Sequence, residues 1–106
     1  MQIHWRNAQE IDEQSRDAAV AQLEALAAHH RDLIDLWIDV EPQSAHHRSG
    51  PRSVELRCQA RGAELVVHGK ADELGLALRD ALRRFERSVQ RLRGERRDAR
   101  GEPPSA

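Results

Sequence analysis

The sequence predicts an α+β domain of two layers, a four-stranded sheet with two helices on one of its faces. Three observations carry this. Period-two alternation of apolar and polar residues recurs over 32–41, 53–61 and 63–69, a helical period governs 72–93, and a helix-forming run free of Gly and Pro occupies 13–30. The resulting order of strand, helix, three strands, helix fits two helices packed on one side of a sheet.

In chain order, Met1 to Arg6 alternates Ile3 and Trp5 against Gln2, His4 and Arg6, as a short half-buried strand does. Asp12 is placed to cap the following helix, because its carboxylate can accept the free amides of the first turn. That helix is expected over Glu13 to His30, with Ala19, Leu23 and Leu26 on a thin inner face. From Asp32 to Glu41, Ile34, Leu36, Ile38 and Val40 alternate with Asp35, Trp37, Asp39 and Glu41. This predicts a strand with the first set inward and Trp37 outward. Pro42 to Ser53 contains Pro, Ser and Gly, carries His46, His47, Arg48 and Arg52, and has no acidic residue, so it is expected to form a basic loop. In the next strand Val54, Leu56, Cys58 and Ala60 are expected inward. Arg61-Gly62 is the predicted hairpin turn into a strand with Ala63, Leu65 and Val67 inward.

The last helix, Asp72 to Arg93, has two distinct faces. At about 100° per residue, Leu74, Leu78, Ala81, Leu82, Phe85, Val89 and Leu92 gather on one side, and Arg79, Arg83, Arg84, Arg87 and Arg91 on the other. Gly94 is expected to stop it. The domain is thus expected to span 1–93, leaving 94–106 as a disordered polar tail.

At 106 residues the chain is expected to form one domain with a core built mainly from Leu, Val, Ile and Ala, since it has one Phe and two Trp. A lone cysteine, no signal peptide and no apolar run long enough to cross a bilayer lead us to expect a cytoplasmic, reduced protein without membrane attachment. The net charge of -1 conceals an uneven distribution. Residues 1–42 hold three Arg against nine acidic residues, whereas 76–93 hold six Arg against Asp80 and Glu86. Arginine's planar, permanently charged fork suits phosphate oxygens, so this face is a candidate nucleic-acid contact; a solvated Arg face that merely keeps the helix soluble is the plainer alternative.

Enzyme chemistry finds no support: the chain has no phosphate-cradling Gly-rich loop, nucleophile elbow or HExxH motif. Cys58, on an inward strand position, is expected to be an inert core thiol. The pairs His29-His30 and His46-His47 do not have zinc-ligand spacing, so no metal and no cofactor is expected, and no small-molecule substrate either.

Taken together, Met1-Gln2-Ile3, Arg6-Asn7, a helix beginning at Asp12, the strand Ile34-Asp35-Leu36-Trp37-Ile38-Asp39-Val40 and the final-helix run Ala77-Leu78 with Arg84-Phe85-Glu86-Arg87-Ser88-Val89 resemble the ribosome hibernation promoting factor family, which includes the ribosome-associated inhibitor and sigma-modulation proteins. The likeness covers about 1–93 and suggests a short member, without the C-terminal dimerisation domain of long ones. It implies a β-α-β-β-β-α fold similar in outline to a double-stranded RNA-binding domain. It also implies docking on small-subunit rRNA in the mRNA and tRNA channel, so that translation is blocked while the ribosome is stored. Family lysines on the first helix fall at Gln22 and Ala25 here, a family aromatic at Gly75, and a frequent acidic residue at Arg79. The implied site therefore carries over onto Arg84 and Arg87, with Arg91 and Arg93 nearby. Helix geometry adds Arg79 and Arg83, and the basic loop adds Arg48 and Arg52. The acidic first helix keeps a second reading open, a diverged protein-interaction module with the same fold. Homodimerisation is compatible with the sequence but not indicated by it.

Overall fold

A computed structural model describes residues 1–42 and 50–101, the side chains of 95–101 excepted. The order is β1 (Gln2–Arg6), α1 (Glu13–His29), β2 (Leu33–Val40), β3 (Arg52–Ala60), β4 (Ala63–Ala71) and α2 (Leu74–Gly101). The four strands form one sheet in the order β1-β2-β3-β4. β1 runs parallel to β2, with Gln2 opposite Asp35 and Arg6 opposite Asp39, so the chain must cross over between them, and α1 is that crossover. The remaining pairs are antiparallel. Gly62, at φ 77°, makes the Arg61-Gly62 turn between β3 and β4, in the left-handed region that glycine adopts without a Cβ clash.

Asp12 caps α1 as expected: the Ser15 amide donates to Asp12 Oδ2 at 3.0 Å and the Ser15 hydroxyl to Oδ1 at 2.7 Å. Both bonds hold the Asp12 carboxyl below its ordinary range. The inner face of α1 is thin, with Ala19 and Leu23 buried and Leu26 partly so. Arg16 supplements it by lying over the Trp5 ring, 4.9 Å from the centroid, which joins α1 to β1.

The core lies between the helices and the face of the sheet formed by Leu36, Ile38, Val40, Val54, Leu56, Cys58 and Ala60. Phe85 and Leu78 of α2 are fully buried against it. Cys58 is buried there, and burial pushes its thiol up to about 12, consistent with a core residue and not a nucleophile.

Two sequence expectations need correction. Ile34, expected inward, is 47% exposed, and Leu33 takes the core position instead. The pairing of β2 with β3 shifts register between Leu33 and Asp35, and such an irregularity lets neighbouring residues exchange faces. Gly94 does not stop α2, which continues to Gly101. One glycine costs a helix only about 1 kcal/mol relative to Ala, and Glu, Arg and Ala around it favour the helix. The part of the expected polar tail from 94 to 101 is therefore helical in backbone, and 102–106 lie outside the described residues.

The approach of α2 to β4 is unusually close at Gly69. A Cβ there would stand 2.3 Å from both the Ala77 carbonyl oxygen and the Ala81 nitrogen, backbone atoms that cannot swing aside. Gly69→Ala should therefore lower unfolding free energy by about 3 kcal/mol, the upper end for overpacking, as read by urea denaturation. An unchanged midpoint would show that α2 has room to move off the strand.

Candidate nucleic-acid interface

Gly69 and the small residues Ala77 and Ala81 turn the apolar side of α2 onto the sheet, which leaves the arginine side outward. Arg79, Arg83, Arg84, Arg87, Arg91 and Arg93 are all exposed. Arg79, Arg83, Arg87 and Arg91 recur every fourth residue, about 6 Å apart along the axis, and form a row that drifts slowly around the helix. The structure thus brings together Arg79, Arg83, Arg84, Arg87 and Arg91 as expected from the sequence, whereas Arg93 turns to the end of α1.

Their bonding differs. Arg83 Nη2 donates to Asp80 Oδ1 at 2.7 Å, and Arg84 Nε donates to Asp80 Oδ2 at 3.1 Å. The amide of Lys70 in β4 also donates to Asp80 Oδ2, at 3.1 Å. This last bond satisfies an amide of an edge strand and is the first cause of a lowered Asp80 pKa, followed by the bond from Arg83. Arg93 Nη1 donates to the His29 carbonyl at 3.0 Å, placing a cation at the C-terminal end of α1, where free carbonyls and the helix dipole favour one. Arg79, Arg87 and Arg91 have no ion-pair partner among the described residues.

Of the two loop candidates, Arg52 is described and does not join this face. Arg52 begins β3, its side chain is 12% exposed, and its Nη1 donates to Glu10 Oε2 at 2.9 Å. It therefore ties the β1–α1 connection to the sheet. This connection also contains Asn7, at φ 53°, whose Nδ2 donates to Asp39 Oδ1 at 3.3 Å. Arg48, with His46 and His47, lies outside the described residues.

On α1, Gln22 and Ala25 are exposed, as are Glu13, Asp17 and Glu24. Gln22 and Ala25 open onto a shallow groove between the helices, lined also by Leu26, His29, Leu82 and Glu86. Gly75 is close to the first turn of α1: a Cβ there would meet Ser15 Oγ at 3.3 Å. His30 is partly buried, which with nearby Arg93 lowers its pKa and favours the neutral ring.

The open face of the sheet carries Trp37, outward as expected but half-buried. His4 stacks on it with centroids 5.2 Å apart, and His4 Nε2 lies 3.2 Å from Asp35 Oδ1. One face of the indole is thereby occupied, which leaves less of it for a stacked base. No local pattern links His4 to Trp37; the parallel register of β1 and β2 places the two side by side. Asp80, by contrast, has a local signal as a partner, its helical spacing of three and four residues to Arg83 and Arg84.

Among the solved structures that share this architecture are the following two. One is a ribosomal subunit interface protein from Coxiella burnetii, with a TM-score of 0.73 and 10% identity over 89% of this chain and 99% of that one. The other is the N-terminal domain of Protein Y from Thermus thermophilus, with a TM-score of 0.65 and 19% identity over 86% of this chain and 94% of that one. This chain has their fold. It is the fold that the resemblance to ribosome hibernation factors implied. No family model and no curated protein matches the sequence.

The lowered Asp80 pKa has a definite sign in stability. A carboxyl whose folded pKa lies below its unfolded value near 3.9 contributes stability fully above that value, and loses it as pH falls through the folded pKa. Asp80→Asn should therefore flatten the decline of the urea midpoint below about pH 5. A decline as steep as in the wild type would show that the Asp80 carboxylate is not held in this way.

Proposed function

We propose that this protein is a ribosome-associated hibernation factor that binds small-subunit rRNA through α2 and obstructs the mRNA and tRNA channel. The observation that carries this reading is the row of exposed arginines on α2, presented by a fold shared with a ribosomal subunit interface protein and Protein Y. Arg79, Arg87 and Arg91, which have no ion-pair partner among the described residues, are the foremost phosphate contacts. Arg87 is the position at which the family resemblance, the helix geometry and the lack of an ion-pair partner among the described residues coincide; Arg84, which the resemblance also implies, is paired with Asp80. Contacts of this kind address backbone phosphates and A-form shape instead of base sequence. The protein acts as a plug, so the reading requires no catalytic group, metal or cofactor, and it places the protein in the cytoplasm.

Co-sedimentation of the purified chain with small ribosomal subunits across a salt series tests target and mechanism together. With about three phosphates engaged, log affinity against log salt should have a slope of roughly -3. Arg79→Glu combined with Arg87→Glu should abolish co-sedimentation while leaving the thermal transition in place. Retained binding by the folded double variant would sink the proposed site.

A second reading, a diverged protein-interaction module, is favoured by the uncharged Gln22 and Ala25 positions and the acidic residues on the outer side of α1. It predicts a protein complex that survives high salt and contains no RNA. Dissociation of every captured complex between 50 and 200 mM salt would count against it, since that is the regime in which phosphate contacts weaken.

A further inference from the structure

The arginines of α2 are not equivalent, and the reason is one carboxylate. Asp80 sits within the Arg face, its side chain only 14% exposed, between Arg83 and Arg84 on one side and the β4 backbone on the other. Its bond to the Lys70 amide fixes it to a strand, so it does not move freely with the helix surface. Because that bond and those from the arginines favour the ionised form, it is a permanent negative charge at neutral pH. Arg83 and Arg84 are 65% and 58% exposed, so their pairs with Asp80 add little to stability. The effect of those pairs on charge is larger, since two cations and one anion share a patch that would otherwise be doubly positive.

We infer that Asp80 is a specificity-determining residue of this face: it withholds Arg83 and Arg84 from phosphate, dividing the row into Arg79 on one side and Arg87 with Arg91 on the other. This rests on the reading that the face binds RNA. An undivided row would present a guanidinium at every step of about 6 Å, a track that a flexible single strand can follow whatever its sequence. The divided row leaves a gap of about 12 Å between Arg79 and Arg87, with a carboxylate inside it. A folded RNA, whose phosphates are already fixed in space, can meet both stations without further ordering. A single strand must be ordered to do so and must pass the negative charge. Asp80 thereby favours structured RNA over single strands by opposing the looser mode of binding.

The test uses the full chain with two probes, a uridine oligomer and a hairpin excised from small-subunit rRNA. Asp80→Asn keeps an oxygen to accept the Lys70 amide while removing the charge. It should steepen the salt slope on the oligomer by about 1.4, two added contacts at roughly 0.7 each. The preference for hairpin over oligomer should fall accordingly. In the wild type, titration with the hairpin should shift the Nε–H NMR signals of Arg79, Arg87 and Arg91 and leave those of Arg83 and Arg84 in place. This second measurement holds even if the variant folds poorly. Equal movement of all five signals, or a folded Asp80→Asn variant with the wild-type slope and preference, would overturn the inference and leave the proposed function standing. Failure of the wild type to bind either RNA would remove both.

Discussion

The structure depends on how closely α2 can lie against β4. At Gly69 the helix backbone occupies the space that a side chain would need, with Ala77 and Ala81 as its matching small residues. This contact sets the rotation of the helix. Phe85, Leu78 and Val89 then reach the core, and the arginines can only face outward. It also brings Asp80 within reach of the Lys70 amide, so a packing constraint between two backbones becomes an electrostatic feature of the surface. Helix orientation and charge pattern are thus one property.

Much of this was legible from residue order alone. The Asp12 cap, the Arg61-Gly62 turn and the division of α2 into apolar and arginine faces follow from local rules, and the structure contains all three. What escaped depends on partners distant in sequence. Ile34 continues an alternating pattern, but a register shift against β3 turns it outward. Arg52 reads as part of a basic loop until the fold brings it to Glu10. Gly94 has the residue type of a helix terminus, but the helix-forming residues around it carry α2 through. Of the candidate site, the α2 arginines were visible as a set, whereas their inequality was not. That inequality comes from one neighbour in β4, and no spacing rule links Lys70 to Asp80.

The charge distribution gives the molecule a direction. Acidic side chains lie on the outer surface of α1, while arginines line α2 and the groove between the helices holds Glu86 beside uncharged Gln22 and Ala25. Between the two helices, the exposed positive charge among the described residues thus lies on α2 and the exposed negative charge on α1, an asymmetry that a small net charge conceals. The same asymmetry separates the two functional readings: the α2 side suits phosphate, and the α1 side offers polar and small residues suited to protein contact.

The parallel pairing of β1 with β2 affects how the chain is made as well as how it is held. Gln2 must find Asp35, a partner translated only after the whole of α1, whereas β3 and β4 meet across a two-residue turn. During synthesis Ile3 and Trp5 leave the exit tunnel long before anything exists to cover them. Strands β2 to β4 and α2 form a contiguous segment with most of the buried side chains, while α1 contributes Ala19 and Leu23. β1 and α1 are thus held to the rest of the domain by partners distant in sequence while supplying the smaller share of its core.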